Sequence, residues 1–189
     1  MSEVASKYLS FDDLEALEEV QGVRCEFWHG ELFPMTGGTP THNLIGSALM
    51  RILYEQLKDS PCQVYIDDVA LRLAEGAFSN KAYPDVMVVC NPADDTVQTS
   101  PVLVAEVLSE SSVKRDRQDK FEAYTALDSV MVYLIVSQTA VEIELYRRVN
   151  DWKEELLRGR EAVITLDQPA VTLPLAAIYA DVWDSIMRR

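Results

Sequence analysis

Two stretches of this chain read as strands covered on both faces, and each carries one acid where an acid is costly. Val86 to Cys90 and Val102 to Leu108 are nearly continuous apolar runs, rich in valine. Runs of that length suit strands in the middle of a sheet, with neither face left for water. Asp85 opens the first run after Pro84, and Glu106 interrupts the second. A carboxylate in such a place must be paired, hydrogen-bonded or bound to a metal. Two of them on candidate neighbouring strands can converge on one divalent cation. Metal–oxygen bonds of about 2.0–2.1 Å would then hold their oxygens within roughly 4 Å of each other. A plainer alternative stays open from the residues alone, with Asp85 capping a turn and Glu106 in a buried ion pair with an arginine.

The other periodicities place these strands in a mixed architecture. An S-x-x-D start at Ser10, followed by Phe11, Leu14 and Leu17, predicts a helix over 10–20. Arg24 to Phe33 predicts two strands about a tight turn at His29-Gly30. Leu44, Ile45, Ala48, Leu49, Ile52, Leu53 and Leu57 make a helical stripe, so a helix capped by Thr41 is expected over 41–58. Short strands are expected at Cys62–Ile66 and Val69–Leu73. Beyond the two central strands come a helix over 112–127 and a meander over 130–136, 141–148 and about 152–157. Two further short strands near 162–166 and 171–173 precede a small helical turn. Helices flanking strands in this order predict an α/β domain with antiparallel parts. The meander, with Tyr133 and Trp152, offers a candidate dimer surface through exposed strands.

The chain has 189 residues with no repeat or long linker, so one domain over 1–189 is expected. No run of 18 apolar residues exists, and the first residues are too acidic for a signal peptide. No membrane association is expected, and the cytoplasm is the expected location. Cys25, Cys62 and Cys90 are scattered and form no CxxC pair, so all three read as small buried hydrophobes. Two histidines argue against a multi-histidine zinc site. Gly37-Gly38 lacks the Gly-Lys-Ser/Thr of a phosphate-binding loop, so nucleotide hydrolysis has no support. The net charge of −14 opposes long-range attraction to nucleic acid. The densest basic segment is Lys114, Arg115, Arg117 and Lys120, which reads on charge alone as a solvated helix face.

Pro84-Asp85, 20 intervening residues and Glu106-Val107-Leu108 together resemble the PD-(D/E)xK signature of restriction-endonuclease-like enzymes. The details are similar to the Uma2 family, formerly a domain of unknown function common in cyanobacteria. The resembling segments are Glu26 to Leu32, Thr39 to His42, Tyr83 to Val86 and Val104 to Ser112. They continue with Arg115-Asp116, Lys120 to Tyr124 and Tyr133 to Val136, within roughly residues 8–180. One departure stands out, because the signature lysine position is Leu108. The resemblance implies a substitute lysine from the next helix, and the matching residue is Lys120. Asp116, Lys120 and Tyr124 share a helix face at i, i+4, i+8, which makes this geometrically reasonable; the plain alternative is an exposed Asp116–Lys120 pair.

The resemblance implies a restriction-endonuclease-like mixed β-sheet flanked by helices and a metal-dependent endonuclease acting on DNA, or less readily RNA. Asp85, Glu106 and the backbone carbonyl of Val107 would hold Mg²⁺ or Mn²⁺, with Glu31 as a possible fourth contributor. Lys120 would stabilise the charge developing on the phosphoryl oxygens, or orient the attacking water. His42, Lys114, Arg117 and Tyr124 are candidate substrate contacts, though His42 also suits orienting a carboxylate and Tyr124 also suits packing. A homodimer would suit a two-stranded target. An empty carboxylate cluster should carry at least one raised carboxyl pKa. The competing expectation is a degenerate nuclease fold serving as an oligomeric or partner-binding module, which Leu108 and the −14 charge favour.

Overall fold

The structure is a computed structural model that describes residues 13, 16, 18–20, 22, 24–28, 31–35, 37–73, 80–92, 97–109 and 117–188. Its centre is a six-stranded sheet. The strands are β3 (Cys62–Ile66), β6 (Val86–Cys90), β8 (Pro101–Val107), β9 (Val132–Val136), β10 (Glu142–Arg147) and β11 (Glu155–Arg158). Their order is β11-β10-β9-β8-β6-β3. Within this sheet, among the described residues, only β8 and β9 run parallel, and the connection between them carries helix α2 (Asp119–Ala126). Parallel neighbours need such a crossover, whereas the antiparallel pairs do not. A second, five-stranded sheet has the order β2-β1-β5-β4-β7. It contains β1 (Cys25–Trp28), β2 (Glu31–Pro34), β4 (Ala70–Leu73), β5 (Asn80–Ala82) and β7 (Val97–Gln98). A hairpin of β12 (Val163–Asp167) and β13 (Ala170–Pro174) leads into the short helices α3 (Leu175–Ile178) and α4 (Trp183–Met187).

The strands of the large sheet alternate between two cores. Val86, Val88, Leu103, Ala105, Val107, Val132, Leu134 and Val136 face helix α1 (Pro40–Leu57), which presents Ile45, Leu49, Leu53 and Leu57. Burying a leucine side chain contributes about 1.5–3 kcal/mol, so Leu49 and Leu53 alone bind this helix firmly. Met87, Val89, Val104, Tyr133 and Ile135 face the other way and pack with Trp28 of β1 and Tyr124 of α2. Residues two apart share a strand face, so Glu106 belongs to this second side, and Asp85 immediately precedes β6.

Most of the expected elements are present within one or two residues. Both central strands and the 62–66 strand stand where the apolar runs placed them. The hairpin over 24–33 forms as β1 and β2, while its turn at His29-Gly30 lies outside the described residues. So does most of the 10–20 helix, of which Asp13, Ala16, Glu18, Glu19 and Val20 are helical. The 112–127 helix is described from α2 onward. Strands β5 and β7 escaped the sequence reading because three and two residues carry no usable period.

Four expectations need correction. Helix α1 is capped by Thr39, whose side chain accepts from the His42 N–H at 3.1 Å, not by Thr41. Pro40 explains the shift, since proline has no N–H to lose in a first turn. Leu44 of the expected stripe is 41% exposed, at the margin of the buried face. Cys62 and Cys90 form a disulfide rather than two isolated hydrophobes, because the antiparallel β3–β6 register places them directly opposite; Cys25 is buried and free as expected. Tyr133 does not offer a dimer surface. It is fully buried in β9, an interior strand, with its ring 5.3 Å from that of Tyr124. Among the described residues no helix is long and apolar enough to cross a membrane.

Candidate active site

The antiparallel register pairs Val86 with Ala105, which sets Asp85 opposite Glu106 at the end of β6. Strand β6 begins only at Val86, so the Val107 N–H has no strand partner on that side. The Asp85 carboxylate takes its place, with Oδ2 accepting from Val107 N at 2.6 Å. In an antiparallel ladder one residue directs its N–H and C=O to the same neighbour, so the Val107 carbonyl faces the Asp85 side too. Asp85 Oδ1 lies 3.2 Å from His42 Nε2 in the first turn of α1. Gly38 makes that approach possible, because a Cβ there would stand 2.9 Å from the imidazole Cδ2. Both side chains keep some contact with water, at 17% and 18% exposure.

Glu106 sits deeper. Its Oε2 lies 3.0 Å from Lys120 Nζ, and its Oε1 accepts from the Tyr124 hydroxyl at 2.7 Å. Lys120 and Tyr124 are one turn apart on the buried face of α2. The shared face expected from i, i+4 spacing is therefore present. Lys120 is not an exposed helix residue but 4% exposed; Asp116 lies outside the described residues. The phenol of Tyr124 is held well above its ordinary pKa, first by burial and then by Glu106 and Glu26, so it remains a donor.

The same ammonium lies 3.0 Å from Glu26 Oε1 on β1. Glu26 also accepts from the Trp28 indole N–H at 3.2 Å and the Tyr83 N–H at 3.3 Å. The family resemblance offered Glu31 as a fourth contributor to the site. Glu31 instead stands exposed at the head of edge strand β2, opposite Trp28. The cue for Glu26 was present: it lies between Cys25 and Phe27-Trp28, in a strand buried at all four positions. The rule that singled out Glu106 applies equally there.

Asp67 was also missed. It follows β3 with a φ of 42°, and its carboxyl is raised above the usual range by burial first and Asp85 second, opposed by His42 and Arg24. This raised carboxyl belongs to a residue outside the Asp85–Glu106 pair, and no motif marked it. Gln138, buried after β9, donates to the Leu108 carbonyl at 2.7 Å and accepts from the Thr39 hydroxyl at 2.5 Å. It thereby ties the end of β8 to the cap of α1. Arg117 is half-exposed and spends its guanidinium on Glu144, which also accepts from Tyr146. Lys114 lies outside the described residues.

Asp85 and Glu106 supply hard oxygen donors of the kind Mg²⁺ and Mn²⁺ accept. Among the described residues no three His, Cys, Asp or Glu side chains converge as a ready metal cage. Each oxygen of Glu106 already accepts from one donor, so a cation would take a remaining lone pair or displace a donor. The donor chemistry fits, and the arrangement is that of a site with its lysine closed over the acid.

This fold, with two acids at the ends of paired central strands and a lysine above them, defines a restriction-endonuclease-like α/β protein. A crystal structure of a "putative nuclease belonging to DUF820 from Anabaena variabilis ATCC 29413" has the same fold. It matches with a TM-score of 0.71 over 87% of this chain and 97% of that one, at 12% identity. The chain belongs to the Uma2 family, described as "Putative restriction endonuclease", whose model matches residues 11–176. Relatives include two uncharacterized proteins of Synechocystis sp. (strain ATCC 27184 / PCC 6803 / Kazusa). Slr1290 is 33% identical over 171 residues, covering 89% of this chain and 88% of its own. Sll1609 is 31% identical over 166 residues, covering 84% and 93%.

Proposed function

We propose that this protein is a Mg²⁺- or Mn²⁺-dependent endonuclease that hydrolyses phosphodiester bonds in DNA. The observation that carries the reading is Glu106, set opposite Asp85 across two paired strands, with the Lys120 ammonium 3.0 Å from its carboxylate. Asp85, Glu106 and the Val107 carbonyl would hold the cation. When bound, such a cation lowers the pKa of a water ligand and offsets the charge of the scissile phosphate. His42 and the Val107 N–H orient Asp85. Tyr124, kept protonated, orients Glu106 and can hold it once Lys120 lets go. Lys120 then faces the phosphoryl oxygens, where negative charge grows. The −14 net charge disfavours binding from a distance, so a site-bound cation would carry the phosphate attraction.

The test is cleavage of supercoiled plasmid by purified protein with Mg²⁺ or Mn²⁺. Nicking that requires the metal and disappears in Lys120→Ala is expected. No cleavage with either ion, or full cleavage by Lys120→Ala, overturns the reading. RNA as substrate is the first control. A homodimer in the cytoplasm would suit a duplex target, and light scattering checks the assembly.

One observation favours a second reading. Glu106 already has a donor on each oxygen, and Lys120 bridges two acids. A sealed network of this kind also suits a nuclease fold that binds a partner without catalysis. Asp85→Asn separates the two: a nuclease loses turnover, whereas a binding module keeps its partner.

A further inference from the structure

We propose that Glu26 is a positioning residue that keeps the Lys120 ammonium in the site while Glu106 turns to a divalent cation. The proposal rests on the reading of Asp85, Glu106 and Lys120 as a nuclease site. Lys120 lies at the same 3.0 Å from Glu26 and from Glu106, and is 4% exposed. An ammonium removed from water needs a counter-charge. Glu106 cannot serve both the ammonium and a cation without bringing two positive charges together on one carboxylate. Glu26 resolves that conflict, because it is a second acid on a different element.

The surroundings of Glu26 suit the task. Strand β1 is paired on both sides, by β2 and β5. The carboxylate is held by the Trp28 indole and the Tyr83 N–H independently of the lysine. It therefore stays in place whichever way Glu106 turns. Glu106 has the Tyr124 hydroxyl as its own second anchor. Lys120 can thus release Glu106 without leaving the site. If Glu26 is neutral, Lys120 leans on Glu106 and competes with the cation for it.

The experiment is a double-mutant cycle read by Mn²⁺ binding, followed by electron paramagnetic resonance of free Mn²⁺, and by plasmid cleavage. Glu26→Gln is expected to weaken Mn²⁺ binding by about tenfold or more, the usual effect of removing a partner of a metal ligand. It should lower kcat with little change in KM for plasmid. Glu26→Asp, which keeps the charge, should recover part of both and covers the case in which Glu26→Gln does not fold. In a Lys120→Gln background the competition is gone, so Glu26→Gln should weaken Mn²⁺ binding little further. Equal losses in both backgrounds would show a simple charge effect and overturn the proposal. So would wild-type Mn²⁺ affinity and kcat in Glu26→Gln. Wild-type protein that binds Mn²⁺ but never cleaves sinks the nuclease reading alone, since the Mn²⁺ cycle still decides the role of Glu26. Wild-type protein that binds no Mn²⁺ ends both.

Discussion

The two faces of the large sheet are built from the same strands one residue out of step, yet they are chemically unlike. Toward α1, β6, β8 and β9 present Val86, Val88, Leu103, Ala105, Val107, Val132, Leu134 and Val136, all aliphatic. Toward α2, they and β10 present Glu106 and Glu144 among Met87, Val104, Tyr133 and Tyr146, while Asp85 stands just ahead of β6 and reaches His42 of α1. Each of these acids has an answering group: His42 and the Val107 N–H for Asp85, Lys120 and Tyr124 for Glu106, Arg117 for Glu144. One face supplies stability without specific partners. The other holds charge out of water and depends on each partner being present. The acids within the strands lie on the second face, where burial raises the stakes of each charge.

The sharpest way to break this contrast is Lys120→Ala. It should reduce plasmid cleavage by about 10²–10³-fold, the scale of removing one charge-stabilising donor. It should also destabilise the fold by about 3–5 kcal/mol, because Glu26 and Glu106 are left buried without their cation. Urea unfolding measures the second effect. Leu49→Ala tests the opposite face, with an expected loss of about 2–5 kcal/mol from the buried volume removed. Cleavage per folded molecule should be unchanged, and a large fall would mean the two faces are not independent. Tyr124→Phe keeps the ring and removes one hydrogen bond to a carboxylate, for about 1.5–3 kcal/mol in the same assay.

The smallest effect is a pH dependence at the rim. Asp67 has its carboxyl raised by burial and by Asp85. An acid raised in the folded state contributes stability below its unfolded pKa, near 3.9, and that contribution is lost as pH climbs through the folded value. Asp67→Asn should therefore melt above wild type at neutral pH, with the difference vanishing towards pH 3. Melting curves across that range check it, and a variant less stable at every pH would show that Asp67 does more than repel Asp85.

The same rule reached one half of the site and stopped short of the other. An acid inside an apolar strand identified Glu106, and it would have identified Glu26 had the 25–28 strand been weighed alike. Family likeness pointed instead to Glu31, a residue that the hairpin leaves exposed. Helical spacing put Lys120 and Tyr124 on one face, and the family resemblance is what marked Lys120 for the site. Asp67 and Gln138 were not, because each acts from a turn or strand end with no period.

Local order in this chain follows from short-range chemistry. Apolar periods mark β6, β8 and α1, and the pleat alone puts Glu106 on the face of Val104. What meets across a gap in sequence depends on strand register and helix docking, which no local pattern encodes. The opposition of Cys62 and Cys90, the burial of Glu26 beside Lys120 while Glu31 stays exposed, and the closing of Lys120 over two acids all belong to that second kind. They arise because a buried ammonium must find carboxylates wherever the packed sheets deliver them.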